Sequence, residues 1–387
     1  MAFLVPNYHQ RKIFIYQQNN WPKFYWDEST VLKSLSEVRH LQGLITGKMT
    51  TLGLVLGDNA ALQTMTVDVL KTSEIEGDLL LPEEVRSSVA RRLGMDIAGL
   101  IPSDRHVDGV VDMLIDATQN NHKPLTTKRI FRWYEGIFPN GLSGYEKIRT
   151  GQWRDGEKGP MMVLSGAIGK EKVHFIAPEA RHLNREIKRF LSWFSKDTST
   201  DTVLRAAIAH LWFVTLHPFD EGNGRIARAI SDMLLAQSDG CNRRFYSMSA
   251  QIRIDRKQYF AILEKTQKGS LDITAWMLWF LSCLKQSLSL TEKNLAGILK
   301  RHAFWIDFAY KNFNPRQVRM LNKVFDGFNG KLTSSKWAKM TRCSNDTGLR
   351  DIQDLLDKGA LVREPGGGRS TSYRLPRQYH LAAFFRD

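Results

Sequence analysis

The chain has 387 residues, 42% of them hydrophobic and 25% charged, which are the proportions of a folded protein with room for two or three domains. Its formal charge of +15 fits an acidic partner such as nucleic acid, or serves solubility alone. Three scattered cysteines, Cys241, Cys283 and Cys343, argue against a disulfide framework or a zinc site. With a short N-terminal apolar stretch and no bilayer-length apolar run, they predict a cytoplasmic protein with no membrane partner.

Residues 13–18 and 21–26 are rich in large apolar side chains, among them Phe14, Trp21 and Trp26. They are expected to pack against a core and carry no chemistry. A helix is expected over about residues 29–52. Leu62, Met65, Val69 and Leu70 then recur at helical spacing, which puts Thr72 and Glu76 on one face ahead of a capping Gly77. Short β-prone runs at 151–154, 161–164 and 172–178, separated by glycine, predict a β-hairpin.

The densest chemistry lies at residues 217–228. An apolar run, Leu211 to Leu216, reads as the end of a buried helix, and Pro218 makes its continuation past His217 unfavourable. An imidazole at a helix exit can face a cleft and take a proton near neutral pH. Glu221 offers a carboxylate suited to Mg2+ shared with phosphate oxygens. Gly222, Asn223 and Gly224 allow a tight turn whose N–H groups can approach an anion. A helix is expected from about Arg225, because Ile226, Ala229, Ile230, Met233 and Leu234 follow at helical spacing. Its N-terminus favours anions, and Arg225 and Arg228 share one face from which both can grip phosphates.

This segment resembles the signature of the Fic family, His-x-Phe-x-(Asp/Glu)-Gly-Asn-Gly-Arg-x-x-Arg, at every specified position. The resemblance implies a mainly α Fic-type helical core with a small β-hairpin flap. It implies AMP transfer from ATP to a Ser, Thr or Tyr hydroxyl of a target protein. His217 would be the general base and Glu221 the Mg2+ ligand. Gly222, Asn223 and Gly224 would form the anion hole, and Arg225 and Arg228 would hold the triphosphate. Thr72-Ser73-Glu74-Ile75-Glu76-Gly77 matches the (Ser/Thr)-x-x-x-Glu-(Gly/Asn) pattern of the family's inhibitory helix. That match implies that Glu76 pairs with Arg228 and diverts ATP into an unproductive pose. The hairpin corresponds to the flap that covers the nucleotide and pairs with an extended target segment. The aromatic N-terminal segment is similar to an extension found in a bacterial branch of the family.

Toward the C-terminus a helical pattern carries Val318, Leu321, Val324 and Phe325. A short helix is expected at 335–340, a turn at 341–344, and an amphipathic helix from about 345 to 358. Strands near 359–363 and 372–375 flank a tip at Gly366, Gly367 and Gly368. The order resembles a winged helix-turn-helix. Phe313 to Pro376 holds 12 Lys and Arg against 6 Asp and Glu. On DNA, Ser344, Asn345, Thr347 and Arg350 would face the major groove while Arg363, Arg369 and Arg374 meet phosphates. Asp346, Asp351 and Asp354 would oppose that, and such folds also serve as protein-interaction modules.

The expected organisation is an N-terminal extension (1–55), an inhibitory helix region (56–105), a catalytic core with flap (106–290), a linker helix (291–312) and a winged-helix domain (313–387). The expected activity is protein adenylyltransfer restrained by Glu76. Removal of AMP, or a DNA-binding regulator with a nucleotide-sensing core, stays open as an alternative, as does a homodimer.

Overall fold

The computed structural model describes residues 14–50, 53–95, 99–143, 146–157, 159–167, 170–241, 244–326, 331–365 and 371–379. The chain is mainly helical and divides into two compact units, Met1–Thr291 and Glu292–Asp387. Among the described residues no helix is long and apolar enough to cross a membrane.

The first unit runs through α1 (Glu28–Thr50), α2 (Gly53–Glu76), α3 (Pro82–Arg92), α4 (Arg105–Gln119) and α5 (Thr127–Ile137). Two short ladders follow, β1 (Leu142–Ser143) with β2 (Glu146–Lys147), and β3 (Met162–Ser165) with β4 (Lys172–Ile176), both antiparallel. Then come α6 (Ala180–Lys196), α7 (Thr202–Leu216), α8 (Asn223–Asp239), α9 (Met248–Ile254), α10 (Arg256–Gln267) and α11 (Thr274–Asp307), the last of which crosses the boundary between the units.

Helices α7 and α8 form the centre of this unit. Nearly every residue of α7 is buried, which follows from a sequence apolar on all faces, Ala206-Ala207-Ile208-Ala209 leading into Leu211-Trp212-Phe213. Asp201 starts the helix by accepting the Val203 N–H at 2.8 Å. Its neighbour α6 has one apolar stripe, Leu183, Ile187, Phe190 and Phe194, and buries only that face. The N-terminal aromatic segment packs here too. Trp21 stands edge-on to Trp212 and donates its indole N–H to Glu186 at 3.0 Å, while Phe14 backs the β3–β4 hairpin through Phe175.

Residues 151–154 are not the strand expected of them. Gly151 has φ 72°, and the Arg154 N–H donates to the Pro218 carbonyl at 2.9 Å, so its backbone donor serves the loop after α7 and no ladder. The hairpin is β3 and β4 alone, with a register shift between Val163 and Leu164. Ile168 and Gly169, between the expected runs 161–164 and 172–178, lie outside the described residues.

The second unit holds α12 (Pro315–Asp326), α13 (Ser334–Thr341), α14 (Asn345–Asp357) and the antiparallel pair β5 (Val362–Arg363) and β6 (Tyr373–Arg374). Its core gathers Phe304, Leu321, Trp337, Ile352 and Leu361. Thr333 caps α13 by accepting the Lys336 N–H, and Arg342 ends it at φ 54°. Ser344 caps α14 by accepting the Thr347 N–H at 3.2 Å, and its hydroxyl also meets the Thr347 hydroxyl at 2.9 Å, so both side chains serve the helix start. Asn345, Arg350 and Arg363 are exposed. Asp351 is buried against Arg316 at 2.8 Å, and Asp354 pairs with Lys358 at 2.5 Å. Asp351 and Asp354 thus each have a counter-ion within the unit, while Asp346 is exposed. Gly366, Gly367, Gly368 and Arg369 lie outside the described residues.

Candidate functional site

His217 ends α7 with φ 47° and ψ 57°, a left-handed conformation that breaks the helix and turns the chain into the 217–222 loop. Its Nδ1 lies 3.2 Å from the Val214 carbonyl oxygen. A carbonyl only accepts, so Nδ1 carries the hydrogen and Nε2 keeps its lone pair. Burial, followed by the nearby Arg154 charge, lowers the His217 pKa to about 4, although the Val214 hydrogen bond and Glu76 act in the opposite direction. The ring is therefore neutral at physiological pH.

The loop is anchored at both ends. Phe219 is buried and stacks on Tyr134 with ring centroids 3.9 Å apart; burying such a ring stabilises by about 1.5–3 kcal/mol. The Asn223 side chain donates to the Phe219 carbonyl at 2.9 Å and accepts the Phe219 N–H at 3.0 Å. Asn223 thus uses its amide to close the loop. Gly222 is the residue before α8 and has φ 71°, where a side chain would be strained and would press on Phe138. It provides no side-chain cap, so the first N–H groups of α8 are left to meet an anion.

Both arginines of α8 are buried. Arg228 donates from Nε to the Thr72 hydroxyl at 2.7 Å, and from Nη2 to the Thr72 carbonyl at 2.9 Å and to Glu76 Oε1 at 2.7 Å. Its Nη1 is buried without a hydrogen-bond partner among the described residues. Glu76 lies directly over the start of α8: a Cβ on Gly224 would come within 3.1 Å of its carboxyl carbon and closer still to Oε1. Arg225 lies 5.1 Å from the centre of the Phe138 ring and donates from Nη1 to Asp78 at 3.1 Å. Its Nε is also buried and without a partner.

The structure thus brings together His217, Gly222, Asn223, Gly224, Arg225, Arg228, Thr72 and Glu76. Glu221 sits on the exposed side of the loop. Partial desolvation of its carboxyl nevertheless raises its pKa, Arg225 opposes the rise, and Glu76 and Glu146 add to it. Asn345, Thr347 and Arg350 belong to the other unit.

Sequence reasoning missed four participants. Arg154, buried, donates from Nε to the His217 carbonyl at 2.7 Å and from Nη2 to the Pro178 carbonyl at 2.5 Å, joining the end of the hairpin to the 217–222 loop. Trp153 beside it packs against Phe219. Asp78 and His106 stand behind Arg225. No local pattern marks Arg154 or His106; for Asp78 the only signal is an acid two residues beyond Glu76.

The end of α2 is also held from α9 and α10. Arg253 donates to Glu74 at 3.0 Å, Arg256 donates to the Ile75 carbonyl at 3.0 Å, and Ser247 donates to Asp68 at 2.5 Å.

Comparison with known proteins bears on this arrangement. Residues 124–235 match the Fic/DOC family, and residues 14–95 match a domain of unknown function. A probable protein adenylyltransferase of Aquifex aeolicus is 24% identical over 110 residues, covering 28% of this chain and 30% of that protein. Protein adenylyltransferase Fic of Drosophila ananassae is 24% identical over 271 residues, covering 67% of this chain and 49% of that protein. The chain thus spans half or less of the length of these curated relatives. A crystal structure of a Fic family protein from Desulfovibrio desulfuricans superposes with a TM-score of 0.51 over 91% of this chain and 98% of that one, at 17% identity, a likeness of fold. With the signature loop and the family match falling on the same residues, residues 124–235 form a Fic/DOC family domain.

Proposed function

We propose that this protein transfers AMP from ATP to a Ser, Thr or Tyr hydroxyl of a target protein, and that Glu76 holds it inactive. The observation that carries this reading is Arg228, a buried cation whose Nη2 is taken by Glu76 while its Nη1 has no hydrogen-bond partner among the described residues. A buried donor is costly to leave unpaired, and a phosphate oxygen would satisfy it.

In the productive arrangement, His217 Nε2 removes the proton of the target hydroxyl. The hydroxyl oxygen bonds to the α-phosphorus as the bond from that phosphorus to pyrophosphate breaks. Arg225, Arg228 and the first N–H groups of α8 neutralise the charge that accumulates on the phosphates. Glu221 suits a Mg2+ ion that arrives with the nucleotide: partial desolvation, with Glu76 and Glu146 nearby, disfavours its negative charge, which a cation would offset, and Mg2+ commonly takes one or two carboxylates plus substrate phosphates. Such an ion supplies further charge neutralisation on the phosphate oxygens. The outer edge of β3 is unpaired among the described residues, which suits the addition of an extended target segment.

The depressed His217 pKa gives a pH prediction. The neutral ring is the competent form, so activity is lost only as pH falls through the folded-state value of about 4. The acidic limb of kcat/KM for a Glu76→Gly protein is expected well below pH 6. A limb centred near the ordinary histidine value would contradict the assignment. The fold should be checked in parallel by circular dichroism.

A second reading concerns the Glu292–Asp387 unit: we propose that it binds duplex DNA through α14. What favours this is the internal neutralisation of Asp351 and Asp354 beside exposed Arg350 and Arg363. Arg350→Glu with Arg363→Glu is expected to weaken binding of a mixed-sequence duplex by at least about tenfold at low salt. Unchanged anisotropy titrations would point to a protein partner for this unit.

A further inference from the structure

Glu76 and Asp78 flank Gly77, and each carboxylate engages one arginine of α8. The two contacts differ in kind. Glu76 takes the Nη2 of Arg228, lies over Gly224 and so occupies space at the anion-binding start of α8. Asp78 meets Arg225 at Nη1, and the Arg225 Nε has no hydrogen-bond partner among the described residues. A guanidinium held at Nη1 can still present its Nε and Nη2 edge to a phosphate in the two-point geometry arginine favours.

Asp78 is itself fixed from behind. Its Oδ2 lies 2.6 Å from His106 Nε2, and His106 Nδ1 donates to the Ile137 carbonyl at 2.5 Å, at the end of α5. The hydrogen bond to His106 leads the lowering of the Asp78 pKa, with burial opposing it and Arg225 adding to it. The Asp78 N–H donates to the Ser73 carbonyl at 3.1 Å, which ties the residue to the last turn of α2. A buried arginine needs a counter-charge, and Asp78 is the carboxylate in contact with Arg225, whereas Glu76 contacts Arg228.

We propose that Asp78, backed by His106, is a positioning residue that holds Arg225 in the orientation that receives the polyphosphate of ATP. This rests on the nucleotide-binding reading given above. It also implies that activation leaves α2 seated. Thr72 and Asp78 support the two arginines from either side of Glu76, so relief comes from rotation of the Glu76 side chain, and withdrawal of the helix would release Arg225.

The test reads ATP affinity by calorimetry in the Glu76→Gly protein, with binding measured apart from transfer. Adding Asp78→Ala is expected to weaken ATP binding by about tenfold or more, as for loss of a charge-assisted hydrogen bond, and Asp78→Asn, which keeps an acceptor, by less. In an Arg225→Ala background the same Asp78→Ala change is expected to cost less than about twofold, because the pair acts as one unit. His106→Ala, which leaves the carboxylate in place, should move affinity the same way and guards against an Asp78 variant that fails to fold. Tighter ATP binding in Asp78→Ala would overturn the proposal and make Asp78 a second brake. Additive effects of the Asp78 and Arg225 changes would overturn it by separating them. A Glu76→Gly protein that binds no ATP would overturn the nucleotide reading as well, whereas one that binds ATP without transferring AMP leaves this test intact.

Discussion

AMP incorporation by the Glu76→Gly protein is expected to exceed that of the wild type by about a hundredfold, the usual worth of one well-placed donor to a developing phosphate charge. In the wild type Arg228 Nη2 is occupied by Glu76 at 2.7 Å, and the carboxylate lies over the α8 N–H groups that an anion would use. Two negative groups cannot share that position: a γ-phosphate entering beside Glu76 meets charge repulsion as well as a filled space. Removing the side chain clears both obstacles, and Thr72 still holds Arg228 through its hydroxyl and carbonyl. The glycine falls at the last residue of α2, where helix propensity matters little. Glu76→Gln keeps the bulk and deletes the charge, so its rate is expected between the two. Initial rates with labelled ATP check the order, and equal rates in all three proteins would contradict the inhibitory role.

The second large effect is expected at His217. Replacing it should lower transfer by roughly 10²–10⁴, the range for a positioned general base. The variant matters, because His217 adopts φ 47° and alanine is strained there. Asparagine tolerates the left-handed region and has no comparable basicity, so His217→Asn is the cleaner substitution. ATP affinity should stay within about twofold, since the imidazole contacts none of the groups assigned to the phosphates. A fall in affinity matching the fall in rate would make His217 a binding residue.

Much of this site was legible in the sequence because its chemistry is local. The 217–228 signature compresses a helix exit, a turn and a helix entry into one segment, and each step follows from a residue type: Pro218 stops α7, Gly222 permits φ 71°, and the periodic apolar residues from Ile226 onward predict α8. The start of α8 fell two residues before the expected Arg225, at Asn223, whose amide closes the loop. What lay outside the sequence is long-range. Arg154 meets His217 across 63 positions, and Asp78 meets Arg225 across 147, and no periodicity encodes either contact. Residues 151–154 looked β-prone, yet Trp153 and Arg154 are claimed by Phe219, His217 and Pro218, so tertiary packing overrode the local preference. The sequence marked Asp351 and Asp354 only as charges opposed to a phosphate backbone, and nothing local foretold their partners Arg316, Gln317 and Lys358.

The most direct test of the central claim follows the two ends of the ATP triphosphate. Glu76→Gly protein with Mg2+, incubated with cell lysate as acceptor, should raise protein label from ATP labelled at the α-phosphate above that of lysate alone, and should add none above lysate alone from ATP labelled at the γ-phosphate. The α-label should disappear in the Glu76→Gly/His217→Asn protein. Added γ-label above lysate alone, or added α-label that survives loss of His217, would contradict AMP transfer through this site.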